Sequence, residues 1–356
     1  MAEGRVRGGA VLGRSGRGLA ALLVLAAAGC VAQPGGTETL VIDSRSFGFI
    51  DELLAGQAGR PQQVEATLVL PQGGPAGGGQ AGSGAPYPAI VLLHSSNGQG
   101  SQDWLYAKRL TAQGIAVLAV DSFSARDVSH TVRDQTLVST ASMLSDAYGA
   151  LSRLSADPRI DPRRIGVMGF SKGGIAALYA AYRPVQRQAA PDGRRFALHI
   201  AYYPWCGLRL RQPETTGAPV LIQSGALDDL VPPERCAALI EASRGPPDSG
   251  GGPPALRQII HPQARHAFDH PLLALFDKIP ITAPSPAFCE LQQRADGRFV
   301  ETTGGQVVHA DNLNAVLAGC SRPGHAGGNE AADAAAFAAT LAFLEEAGFL
   351  TAPPRK

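Results

Sequence analysis

Six residues constrain this chain more than any others: Gly169-Phe170-Ser171-Lys172-Gly173-Gly174, directly after the apolar run Ile165-Gly166-Val167-Met168. The apolar run reads as a strand, and glycines on either side of Ser171 permit a turn too tight for side chains. The pattern, GxSxG, predicts a strand that reverses sharply into a helix with the serine at the tip of the turn. N–H groups at the start of that helix then face whatever approaches the serine hydroxyl. With 43 glycines in 356 residues a chance match is no surprise, so the surroundings decide what the pattern means.

From Tyr87 onward strand-like and helix-like segments alternate, the pattern of a mostly parallel, doubly wound sheet with helices on both faces. Strands are expected at 89–93, 115–120, 165–169, 196–202, 219–223 and 256–260, largely apolar as strands buried on both faces are. Helices are expected at 101–113, 136–155, 172–182, 233–243 and 329–347. Segments 38–43 and 64–70 read as two earlier strands, followed by a Gly/Pro-rich loop at 71–86. The stretch 271–328 breaks the alternation, being long and rich in Pro, Gly and polar residues. It is expected to be an insertion near the site, either a lid or substrate wall or a surface excursion pinned by a disulfide.

The first 29 residues are a separate object: Arg5, Arg7, Arg14 and Arg17 precede an apolar run from Leu19 to Ala28 that is too short to span a bilayer. They read as a secretion signal. Ala27-Ala28-Gly29-Cys30 resembles a bacterial lipobox, which makes Cys30 the lipidation site and a lipid the only membrane contact. Residues 30–37 are then a linker and 38–350 the folded domain, placed in the periplasm or on the cell surface. Export into an oxidising compartment makes disulfides expected among the even set Cys206, Cys236, Cys289 and Cys320. Three connectivities are open, and the pairs Cys206–Cys236 and Cys289–Cys320 are favoured. A net charge of +1 with no long run of like charge argues against a nucleic-acid partner, and nothing calls for a cofactor.

A serine hydroxyl needs an adjacent base and a carboxylate to orient it before it attacks a carbonyl. In open α/β sheets such groups follow the carboxyl ends of strands. The expected strand at 219–223 runs into Ser224-Gly225-Ala226-Leu227-Asp228-Asp229-Leu230-Val231-Pro232, a glycine turn with two carboxylates. The next strand ends near His261, before Pro262-Gln263-Ala264-Arg265-His266-Ala267-Phe268-Asp269-His270. The chain order is therefore Ser, Asp, His, the order of the α/β-hydrolase arrangement.

On the elbow GFSKGG, the acid turn SGALDDLVP and the histidine segment PQARHAFDHP, the chain from Tyr87 to Ala347 resembles the dienelactone hydrolase-like branch of the α/β hydrolases. The resemblance implies an α/β-hydrolase fold and a carboxylic ester or lactone as substrate. It makes Ser171 the nucleophile, Asp228 the acid and His266 the base. Asp229 competes with Asp228 but falls one position late, and capping the helix near Pro232 is its structural role. His261 and His270 compete with His266 and otherwise read as solvated loop histidines. A metal held by His261, His266, Asp269 and His270 is not expected, because the spacing is not that of a helical HxxxH face.

Two N–H donors are needed for the oxyanion. Lys172 supplies one from its backbone, and Ser96, with Ser95 second, supplies the other from the loop after the first central strand. His94 reads as a strand-end residue that hydrogen-bonds this loop. The Lys172 side chain is expected in solvent, where it can attract anionic substrates, and Arg126 either binds a substrate carboxylate or makes a structural ion pair. The dienelactone-cleaving members carry a cysteine nucleophile and a glutamate in the His94 loop; Ser171 and Ser95 depart from this, so the resemblance does not extend to dienelactone itself. Two other functions remain open on sequence. One is a peptidase or amidase of prolyl-oligopeptidase type, for which the roughly 60 residues after Cys30 are too few to build a propeller. The other is a lipid-anchored binding protein without catalysis.

Overall fold

The computed structural model describes residues 36–72, 86–243 and 256–350, all within the unit Pro34–Lys356. The expected secretion signal and lipidation site at Cys30 lie outside the described residues, as do most of the expected linker and of the 71–86 loop. The chain opens with β1 (Thr37–Ser46), α1 (Ile50–Leu54) and β2 (Arg60–Val69). It continues through β3 (Tyr87–Leu93), α2 (Ser101–Thr111), β4 (Ala116–Asp121), α3 (Thr140–Ser155), β5 (Ile160–Phe170) and α4 (Lys172–Tyr179). Next come α5 (Arg183–Ala189), β6 (His199–Tyr202), β7 (Leu208–Arg209), β8 (Val220–Gly225), α6 (Pro233–Ala242) and β9 (Leu256–His261). The last part holds β10 (Ile279–Ser285), β11 (Leu291–Gln293), β12 (Phe299–Glu301), β13 (Val307–Val308), α7 (Leu313–Cys320), β14 (Arg322–Ala326) and α8 (Glu330–Glu346).

Eight strands make one sheet in the order β1-β2-β4-β3-β5-β6-β8-β9. The first two join antiparallel, and every pairing from β4 to β9 is parallel. Residues 89–93 and 116–120 are buried without a break, which only strands covered on both faces tolerate. Neighbouring residues on β5 show the two faces directly. Phe170 meets Tyr106 of α2 edge-on at 4.8 Å, whereas a Cβ on Gly169 would stand 2.3 Å from the Gly173 backbone of α4. On the Phe170 face α2 is tied to α8 by the bidentate pair Arg109–Asp333, at 2.6 Å for each bond. The buried Gln223 of β8 is satisfied inside the core, donating to Ala336 O of α8 at 2.9 Å and accepting from His261 Nε2 at 2.7 Å.

The expected strands and helices are all present, with shifted ends. β5 begins five residues early, because Ile160 pairs with Tyr87 before an irregularity that ends at Ile165. The expected helix at 172–182 stops at Tyr179, and α5, with a proline in its first turn, follows. Helices α1 and α5, of 5 and 7 residues, are too short to show a periodic apolar face.

The stretch 271–328 is not plain loop. It folds into β10 paired with β14, the ladder β13-β12-β11, and α7, with β11 running parallel to β7. Cys206–Cys236 and Cys289–Cys320 are both disulfide-bonded, with Cα atoms 4.9 and 5.1 Å apart. No helix among the described residues is long and apolar enough to cross a membrane.

Candidate active site

Ser171 caps α4 with φ 49° and ψ −109°, a conformation that costs a residue with a side chain about 1–3 kcal/mol. The surrounding backbone holds it there: Ser171 N–H donates to Tyr202 O at 2.9 Å and Ser171 O accepts from Ile175 N–H at 2.8 Å. A Cβ on Gly173 would lie 2.2 Å from Leu93 O and 2.5 Å from His94 O. The start of α4 is thus pressed against the end of β3, next to the loop that carries Ser95 and Ser96.

The acid turn follows β8. A Cβ on Gly225 would meet Ala264 O at 2.4 Å, so this turn packs directly on the histidine loop. Asp228 is buried, and its Oδ1 accepts from Leu230 N–H at 3.0 Å and Val231 N–H at 2.9 Å. Its Oδ2 lies 2.8 Å from His266 Nδ1, and His266 Nε2 lies 3.0 Å from Ser171 Oγ. With the Nδ1 proton donated to the carboxylate, Nε2 is left as an acceptor for the serine proton. The three side chains singled out from the sequence therefore form one hydrogen-bonded chain.

The competing residues have other partners. Asp229 caps no helix: it accepts from His325 N–H and His325 Nδ1, both at 2.7 Å. His261 is buried against Gln223 rather than solvated, while His270 Nδ1 accepts from Leu272 N–H at 3.2 Å. His94 has the strand-end role, with Nδ1 2.8 Å from Ser95 O and Nε2 accepting from Ser122 N–H at 3.1 Å. Burial lowers its pKa. No group of three or more His, Cys, Asp or Glu that could hold a metal ion occurs among the described residues.

One open alternative is decided and one expectation is overturned. Arg126 does not face the site: its guanidinium grips the buried Asp146 at 2.8 and 2.9 Å and donates to Ser122 O at 2.6 Å. A buried carboxylate claims the cation before any substrate can. Lys172 is not in solvent. Its side chain is buried, and Nζ donates to Gln135 O at 2.7 Å and Gln135 Oε1 at 3.1 Å. Burial pushes its pKa down to about 7, with the Asp134 carboxylate pulling part of the way back. Ser96 Oγ donates to the same Gln135 Oε1 at 3.2 Å.

A cavity of about 670 Å³ opens above Ser171 and His266. Its walls are mainly apolar, with Trp205, Leu208 and Ile175 from the core and Ile279, Leu291 and Leu317 from the stretch after 271. Sequence reading missed the polar residues that support this site. Tyr203, at the carboxyl end of β6, packs edge-on against His266 with ring centroids 4.7 Å apart. The Tyr203 hydroxyl donates to Asp269 at 2.8 Å, and Gln102 donates to both. The position of Tyr203 directly after an apolar strand was the available signal; Gln102 and Gln135 carried none.

A sequence profile of the dienelactone hydrolase family matches residues 78–277, which include Ser171, Asp228 and His266. The chain is 27% identical over 170 residues to "Putative hydrolase YtaP" of Bacillus subtilis, a match covering 42% of this chain and 54% of that protein. It is 27% identical over 230 residues to "Putative carboxymethylenebutenolidase" of Methylorubrum extorquens, covering 61% of this chain and 72% of that protein. It spans 54 to 60% of the length of the first curated relatives it matches. Among solved structures, a dienelactone hydrolase-like promiscuous phosphotriesterase from metagenomic libraries has a TM-score of 0.50 at 18% identity, covering 88% of this chain and 99% of that one. That likeness is one of fold.

Proposed function

The chain belongs to the dienelactone hydrolase family, and from that premise we propose that it is an exported serine hydrolase cleaving a carboxylic ester or lactone through an acyl-enzyme. The observation that carries the reading is the chain Asp228–His266–Ser171, with spacings of 2.8 and 3.0 Å, beneath an apolar cavity. Ser171 Oγ attacks the ester carbonyl while His266 Nε2 takes its proton, and Asp228 stabilises the imidazolium that forms. The backbone N–H groups of Lys172 and Ser96 receive the oxyanion at the start of α4 and at the end of β3. His266 then protonates the departing alcohol, and a water activated by the same ring releases the acid.

The apolar walls favour esters with uncharged, bulky acyl groups. With Arg126 and Lys172 both engaged by protein groups, neither recruits a substrate carboxylate. Turnover of p-nitrophenyl acetate and octanoate tests this, with kcat/KM expected to rise along the series. Ser171→Ala is expected to lower hydrolysis of either ester by roughly 10⁴-fold or more with folding unchanged; a variant that keeps full turnover sinks the reading. Two disulfides support an oxidising compartment, and the lipid anchor belongs to Cys30. Cys30→Ser is expected to move the protein from the membrane to the soluble fraction of cells that express the full chain.

A further inference from the structure

We propose that Gln135 is the positioning residue of the oxyanion site, because its single amide oxygen accepts from the side chains of both residues whose backbone N–H groups would bind the oxyanion. Ser96 Oγ reaches Gln135 Oε1 at 3.2 Å and Lys172 Nζ reaches it at 3.1 Å. An amide oxygen has two lone pairs, and these donors occupy both. The inference rests on the hydrolase reading above and deepens it.

The two donors belong to separate segments, the loop after β3 and the first turn of α4, and must stay in register to a few tenths of an ångström to stabilise charge. On one side the contact of Gly173 with Leu93 O and His94 O sets their spacing. On the other side Gln135 ties them together, and its carbonyl takes a further bond from Lys172 Nζ at 2.7 Å. Gln135 is itself held in a built frame. Thr131 N–H donates to Ser96 O at 2.8 Å, and Asp134 Oδ1 accepts from Thr136 N–H at 2.9 Å and from Asn314 Nδ2 of α7. Burial raises the Asp134 pKa, but the hydrogen bonds from Thr136 and Asn314 outweigh it and hold the carboxyl below its ordinary value. This arrangement also accounts for the buried lysine beside the nucleophile: its ammonium serves as a strut between α4 and the 131–136 segment.

The test compares Gln135→Leu, which removes the shared side-chain acceptor at similar volume, with Gln135→Glu, which keeps it. For p-nitrophenyl butyrate, Gln135→Leu is expected to lose about 10- to 100-fold in kcat with KM within threefold. It should also bind a trifluoromethyl ketone, whose adduct carries the oxyanion, more weakly by the same factor. Gln135→Glu should recover most of both quantities. Ser96→Ala, which deletes one arm and keeps the Ser96 N–H, should fall between the two and covers the case of a misfolded leucine variant. A folded Gln135→Leu with unchanged kcat and unchanged inhibitor affinity overturns the proposal, as does a Gln135→Glu as impaired as the leucine variant. If Gln135→Leu behaves as wild type while Ser171→Ala is inactive, the brace fails and the hydrolase reading stands; an active Ser171→Ala removes the reading itself.

Discussion

Asp228 and Asp229 leave one turn in opposite directions, and the difference decides which of them can act on His266. Asp228 turns inward, where two N–H groups hold one oxygen and leave the other for the imidazole. Asp229 turns outward to His325. Asp228→Asn should therefore drop kcat by about 10⁴-fold, because the amide cannot stabilise the imidazolium or enforce the tautomer. Asp229→Asn should leave kcat within a few-fold; equal losses in steady-state assays of the two variants would refute the assignment. At this scale the sequence was informative wherever a residue sits at a fixed offset from a glycine turn, as Ser171 and Asp228 do. It was silent where the partner is distant along the chain. The partner of Asp229 is 96 residues away, and that of Lys172 Nζ is 37 residues away in a segment without pattern. Arg126 fits the same account, since nothing in the sequence marks Asp146 as its counter-ion.

Among the elements, the strands were the most legible because burial on both faces leaves an unbroken apolar run. Their ends were not. The irregularity that lets β5 start at Ile160 lies in polar, proline-containing sequence and depends on pairing with Tyr87. Helix α2 carries a consequence that composition could not reveal. Its Asp103 accepts from Gly100 N–H at 2.8 Å at the helix start and is buried, and burial raises its pKa to about 7 against the pull of that hydrogen bond. The nearby Asp269 is raised to about 6, again by burial. A folded pKa above the unfolded 3.8 means that the folded state holds the proton more tightly. The stability this contributes is complete below about pH 4 and is lost as pH rises toward 7. Asp103→Asn keeps an oxygen for Gly100 and cannot ionise. In denaturant melts its advantage over wild type should grow between pH 4 and 7 and then level off, at a few kcal/mol. Parallel stability profiles for the two proteins would mean that Asp103 ionises without hindrance.

Over the whole molecule, the sheet and its two helical layers follow from the alternation of segments, but the wall of the cavity does not. The stretch that supplies it runs through β11, β12 and β13, of two or three residues each and too short for a period, and β11, whose Leu291 reaches the cavity, is ordered by β7 from the other side of the acid turn. The Cys289–Cys320 disulfide closes a separation of 31 residues around this wall, which corresponds to roughly 3–4 kcal/mol of unfolded-state entropy. Replacing both cysteines by alanine should cost about that much in chemical denaturation. Because α7 lines the cavity, the double variant should also raise KM for the octanoyl ester while sparing the acetyl ester; a KM unchanged for both would detach the wall from substrate binding. Strand β14 has the farthest reach. Ala326 bridges to His266, Gly327 N–H donates to His266 O at 3.1 Å, and His325 grips Asp229. One short ribbon thus forms part of the chamber and also clamps the loop that carries the imidazole. For protein engineering this divides the molecule into an exchangeable and a fixed part. Positions such as Leu291 of β11, which line the chamber apart from this ribbon, are the ones to vary for specificity, whereas a single-residue insertion between Arg322 and Gly328 is expected to displace His266 from Ser171 and abolish ester hydrolysis in a variant that still folds.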